Sequence, residues 1–147
     1  MNKFSLDGEA LRILQSAGWR ADRSVDVSGW EDLFRPFGIN MHASARNFLS
    51  SFGGISVDVR GPGISRAREP FAFDPAMCVG DEDLYLEWGE ELNRRFYPIG
   101  ALDDGRYALG VDEGGGVYSL ESWVGYFGQW EKGVESLVLG IVAAEIA

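Results

Sequence analysis

Phe96-Tyr97-Pro98-Ile99-Gly100-Ala101-Leu102-Asp103-Asp104-Gly105-Arg106-Tyr107-Ala108-Leu109-Gly110-Val111-Asp112-Glu113-Gly114-Gly115-Gly116-Val117-Tyr118-Ser119-Leu120 is the stretch whose reading decides the fold. Tyr107, Leu109 and Val111 recur at every second position, the period of a strand that buries one face. Residues 96–102 before them and 117–120 after them are further runs of strand length. Asp103-Asp104-Gly105 and Asp112-Glu113-Gly114-Gly115-Gly116 separate the three runs. Asp and Gly tolerate the backbone conformations that tight turns demand. The stretch therefore predicts two consecutive antiparallel hairpins.

Downstream, Ser122 is placed to cap a short helix running through Trp123 and Phe127, and Val134, Leu137, Val138 and Ile141 mark a last helix. Upstream, residues 81–94 carry Leu84, Tyr85, Trp88 and Leu92 on one helical side. Acids open that segment and Arg94-Arg95 close it, as a helix dipole favours. Earlier still the period is 2 again: Ile55, Val57 and Val59 alternate with polar residues. Gly61-Pro62-Gly63 turns the chain into a strand over residues 64–68, and Phe71-Ala72-Phe73 makes another before Asp74-Pro75. The first third is helical: residues 4–17 up to Gly18, a helix from Ser28 and Glu31 at capping-box spacing, and a third carrying Ala45, Phe48, Leu49 and Phe52 up to Gly53-Gly54. Trp30, Leu33, Phe34 and Phe37 fall at helical spacing in the second, which Pro36 shortens. Helices, strands, helix, strands, helix describe an α+β fold with a mostly antiparallel sheet, in a single domain over residues 1–147.

The chain is long enough to bury a substantial core, and its 46% hydrophobic residues supply one. A single cysteine, Cys78, excludes a disulfide framework and favours a reducing, cytoplasmic location. Acids stand where a secretory leader needs an apolar stretch, and no apolar run approaches the ~20 residues of a membrane span. The net charge of −10 is unevenly spread. Residues 1–73 hold nine Lys/Arg against eight Asp/Glu, whereas residues 74–147 hold four against fifteen. The second half repels nucleic acid and anionic membranes and attracts a basic partner. The same charge also serves plain solubility.

The catalytic inventory is thin. His42 is the one histidine, and no Gly-x-Ser-x-Gly elbow is present. Cys78 with His42 reads more readily as a buried thiol and a surface or capping imidazole than as a nucleophile and its base. One His and one Cys cannot make an ordinary zinc site, and the Asp-Gly turns lack the spacing and closing Glu of an EF-hand. Gly114-Gly115-Gly116 lacks the Lys-Ser/Thr of a phosphate loop. Glu87, Glu90 and Glu91 form an acid cluster of the kind chance supplies among twenty-three carboxylates. Arg60, Arg66 and Arg68 are read as solvated strand residues or partners for the acidic half. No catalytic residue, cofactor or metal is assigned.

Leu11-x-x-Leu14-x-x-Ala17-Gly18-Trp19-x-x-x-Arg23-x-Val25-Asp26 resembles the opening signature of the SUKH superfamily, in particular its third bacterial branch. Phe48-Leu49-x-x-Phe52-Gly53-Gly54, Arg60-Gly61-Pro62-Gly63 and Phe73-Asp74-Pro75 resemble the same branch. So do Glu87-Trp88-Gly89-Glu90-Glu91-Leu92, Pro98-Ile99-Gly100 and Asp103-Asp104-Gly105, all in order. The resemblance implies a curved, mostly antiparallel sheet packed by helices. It also implies an immunity protein that binds a cognate toxin domain, often a nuclease, without catalytic residues of its own. It leaves Trp19, Arg23, Trp88 and Gly89 as structural, with Trp19 buried and Arg23 paired to an acid such as Asp26.

Under that reading the docking surface consists of exposed aromatics set among acids, because aromatic anchors carry most interface energy. The candidates are Tyr85, Tyr118, Tyr126 and Trp130, surrounded by Asp81, Glu82, Asp83, Asp103, Asp104, Asp112 and Glu113. The same aromatics would also suit a homo-oligomer. Two alternatives stay open at this point: a general interaction or regulatory module with no toxin partner, and a carboxylate-dependent hydrolase.

Overall fold

The computed structural model describes residues 4–147. Among them, seven strands form one sheet whose spatial order follows the chain: β1 (Ser56–Val57), β2 (Phe71–Ala72), β3 (Tyr97–Leu102), β4 (Tyr107–Val111), β5 (Gly116–Leu120), β6 (Val124–Gln129) and β7 (Ala144–Glu145). Every neighbouring pair is antiparallel. The double hairpin is its centre: Leu102 faces Tyr107 across the first turn, and Val111 faces Val117 across the second. Register shifts between Pro98 and Gly100 and between Val117 and Tyr118 bend the sheet, as bulges do. Gly100 is required at the first: its φ is 150°, and a Cβ there would collide with the carbonyl oxygen of Ala72 on β2.

Partners in register share a face of the sheet. Val111 and Val117 define one face, and Gly110, Tyr118 and Tyr126 the other. Helix α5 (Trp130–Leu139) covers the first, with Gly133 letting its backbone close onto Val117. Helix α4 (Glu82–Leu92) covers part of the second. The Tyr85 hydroxyl of α4 donates to the Leu109 carbonyl at 2.8 Å, and the Trp88 Nε1–H donates to the Glu121 carbonyl at 2.7 Å. Helices α1 (Gly8–Ser16), α2 (Ser28–Phe34) and α3 (Ala43–Phe52) complete the α+β fold. An aromatic chain ties them to the sheet: Trp19 stacks on Phe52 at 5.6 Å, and Phe48 meets Phe52 at 5.0 Å and Phe73 at 5.1 Å.

Several expectations are corrected. Phe4 and Leu6 are buried but precede α1. Ser28 lies inside α2 and caps nothing; the Asp26 carboxylate accepts its N–H, and Glu31 turns to Arg46. Arg23 does not pair with Asp26. Its guanidinium donates to the carbonyls of Ser51 (2.6 Å) and Gly53 (2.9 Å), while Trp19 buries its ring and donates to Ser51 Oγ. Arg23 thus serves carbonyls at the end of α3, which a helix leaves unpaired, while Trp19 holds the hydroxyl of the same Ser51. Residues 64–68 are not a strand. The amides of Ile64, Ser65 and Arg66 bond to the carbonyls of Leu139 and Gly140, closing the end of α5. The helix expected from Ser122 is instead strand β6, because β5 has a bare edge and Tyr126 pairs with Tyr118 on it. The chain leaves the α5 helix at Gly140, before Ile141, and turns into β7, which the sequence pattern did not announce. No helix among the described residues is long and apolar enough to cross a membrane.

Candidate functional site

The part of the Tyr118 face that α4 leaves bare is a cleft of about 560 Å³. Its walls include Arg94, Asp112, Glu113, Tyr118, Tyr126 and Gln129. Asn93 takes the left-handed conformation, with φ at 54°, and ends α4, so Arg94 and Arg95 lie beyond the helix and cannot serve its dipole as expected. Arg94 swings over the Tyr118 ring and donates to Asp112 at 2.8 Å and to the Tyr118 hydroxyl at 2.8 Å. Asp112 is 4% exposed. Its carboxylate accepts four partners: Arg94, the Tyr118 hydroxyl at 2.7 Å, and the N–H groups of Gly114 (3.0 Å) and Gly116 (2.8 Å). The carboxylate thus organises the β4–β5 turn and has no hydrogen-bonding capacity left for a partner.

The remaining candidates scatter. Tyr85 is 1% exposed and Glu82 8%, so neither presents a side chain outward; Glu82 accepts the Gly80 N–H at 2.7 Å. Tyr118 is buried as well, which removes it as an exposed anchor. Trp130 is half-buried, with φ at 50°. Its ring packs against Gly115, where any Cβ would collide with it, and Phe4 packs beside it at 5.5 Å. Tyr126 is half-buried in the cleft, 5.2 Å from the Tyr118 ring. Glu113 is exposed and accepts the Arg95 N–H. Asp81 and Asp83 are exposed at the start of α4. Asp103 and Asp104 sit at the opposite end of β4 from Asp112 and pair with Arg106 and Arg60. The eleven residues therefore form no single patch: the structure brings Asp112, Glu113, Tyr118 and Tyr126 together and leaves the others apart.

The groups weighed for chemistry are engaged elsewhere. The His42 Nδ1 accepts the Ala45 N–H at 3.1 Å and so caps α3, while its Nε2 stands 2.9 Å from the Arg95 carbonyl. This arrangement places the ring proton on Nε2. Burial pulls the His42 pKa below its ordinary value. Cys78 donates to the Gly100 carbonyl and lies 3.1 Å from the Tyr85 hydroxyl oxygen, and burial pushes its thiol up to about 11. Among the described residues, no three His, Cys, Asp or Glu side chains gather to hold a metal. Glu87, Glu90 and Glu91 point to solvent from α4 and not into the cleft. Arg60 pairs with Asp58 and Asp104, Arg66 with Glu69, and Arg68 with Glu9; only Arg60 reaches the acidic half.

The sequence reading missed a different feature. Leu33, Phe37, Met77, Val79 and Leu86 are all exposed large apolar residues, from 39% for Leu33 to 53% for Val79. For Leu86 a signal existed: it falls outside the buried stripe of Leu84, Tyr85, Trp88 and Leu92. For Phe37 there was none, because the 3₁₀ turn Arg35–Phe37 shifts the helical phase.

A family model described as SUKH-3 immunity protein matches residues 6–140. No curated protein and no solved structure matches the chain.

Proposed function

The chain belongs to the SUKH-3 immunity protein family, and from that premise we propose that it neutralises a cognate toxin domain by direct protein–protein binding in the cytoplasm. The match across residues 6–140 carries this reading, because it spans the sheet through β6 and all five helices among the described residues. The protein acts as a binder and not as an enzyme, and it uses no cofactor or metal. The engagement of Cys78, His42 and Asp112 by neighbouring groups supports this: none is left free to take part in proton transfer. A hydrolase built on Glu87, Glu90 and Glu91 gains no support, since these acids face solvent.

The balance of four Lys/Arg against fifteen Asp/Glu in residues 74–147 suits a toxin whose working face is cationic, such as a nuclease, and disfavours nucleic acid and membranes as partners of this chain itself. Asp81, Asp83, Asp104 and Glu113 are the candidate contacts with exposed side chains, and Tyr126 is half-buried in the cleft. Co-expression with the toxin domain encoded beside this gene tests the reading. Survival of the host together with a co-purifying complex is the expected result; cell death with no complex overturns it.

A further inference from the structure

We infer that the toxin docks on an acid-ringed apolar face formed by α2, the 3₁₀ turns Arg35–Phe37 and Pro75–Cys78, and the outer stripe of α4; this rests on the reading of the chain as a toxin-binding protein. Two contacts bring the pieces together. Helix α2 packs against the turn Pro75–Cys78; Leu33 of α2, Phe37 just beyond it, Met77 of the turn and Val79 just after it are all exposed. Gly38, Ile39 and Asn40, directly after Phe37, line a groove of about 300 Å³ whose other wall is Leu86, Gly89 and Glu90. Five of the eight exposed large apolar side chains among the described residues thus belong to or adjoin these elements. Grouped apolar exposure on a soluble chain marks an interaction site, whereas single exposed residues do not.

The charge around the patch identifies the occupant. Asp83, Leu86, Glu87 and Glu90 stand at i, i+3, i+4 and i+7, so one stripe of α4 sets the exposed Leu86 among three carboxylates. Asp83, Glu87 and Glu90, with Asp81 before them, make no ion pair among the described residues. The nearby bases are already taken: Arg35 by Asp32, Arg46 by Glu31, Arg94 by Asp112 and Arg95 by Glu113. An apolar centre with an uncompensated acidic rim fits a protein surface that offers an apolar projection among Lys and Arg. A second copy of this chain fits poorly, because twofold docking would bring the same carboxylates face to face.

The test measures affinity for the neighbouring toxin domain with two paired variants, Phe37→Ser with Leu86→Ser and Glu87→Lys with Glu90→Lys, alongside Asp58→Lys just beyond β1. Each pair should weaken binding about tenfold or more, with the Asp58 variant unchanged and all unfolding temperatures near the parent's. Leu86→Lys alone, at an exposed position of α4, serves if the apolar pair unfolds. Parent-like affinity in both pairs overturns the face while leaving the toxin reading standing. A parent chain that does not bind the toxin overturns both. A stable homodimer broken by Leu86→Lys reassigns the face to a second copy and overturns the toxin as its occupant.

Discussion

At the residue scale, His42 couples stability to pH. Its neutral ring caps α3 through Nδ1, and burial holds its folded pKa below the ~6.5 of an unfolded histidine. Between those two values the unfolded chain binds more protons, so stability rises with pH. This contribution is complete above ~6.5 and is lost as pH falls below it. His42→Asn, whose Oδ1 replaces Nδ1 as the cap, removes that dependence, and His42→Ala costs about 1 kcal/mol at neutral pH. Denaturant titrations of the three proteins between pH 5 and 8 check this; a parallel pH dependence in parent and His42→Asn refutes it. Cys78 shows how a candidate nucleophile is silenced. With its thiol at about 11 and its side chain buried, it is roughly one part in a thousand thiolate at pH 8. A chromogenic disulfide reagent should label it only after unfolding, and rapid labelling of the native protein would contradict that. The sequence signalled a buried cysteine and left the histidine as surface or capping; the fold makes it a buried cap. It did not show that Arg23 seeks carbonyls and not Asp26, because the end of α3 comes alongside only in the folded chain.

At the scale of elements, the β4–β5 hairpin rests on one carboxylate. Asp112→Ala strands the Tyr118 hydroxyl, two turn amides and one arm of Arg94. Buried groups left without partners cost about 2–4 kcal/mol in total, read as an unfolding temperature lower by roughly 5–15 °C. A change under 1 °C in a thermal melt would show that water replaces the carboxylate. The hairpins were legible because Asp-Gly turns and alternation are local signals. Strand β6 was not, since Ser122 followed by Trp123 and Phe127 fits a capped helix equally well. Its identity comes from the edge of β5, a non-local partner. The same holds for residues 64–68, whose amides answer the carbonyls at the end of α5 some seventy residues later.

At the scale of the whole molecule, the uneven charge makes a kinetic prediction. Association with a cationic toxin should slow markedly as ionic strength rises from low to physiological, with the dissociation rate nearly constant. Stopped-flow or surface-binding kinetics measures both, and a salt-independent association rate would leave the acidic half as a solubility device. The class of fold, the central double hairpin, the acidic balance and the family signature all lay in the sequence, because each depends on local period, composition or motif. Which acids and aromatics stand outside was decided only in three dimensions. Tyr85 and Tyr118 go in because α4 lies across the sheet and Arg94 folds over what remains, whereas Phe37 and Leu86 stay out because a 3₁₀ turn and the far side of α4 leave them nothing to pack against. Burial is a property of what the rest of the chain brings alongside, and local pattern carries that information only in part.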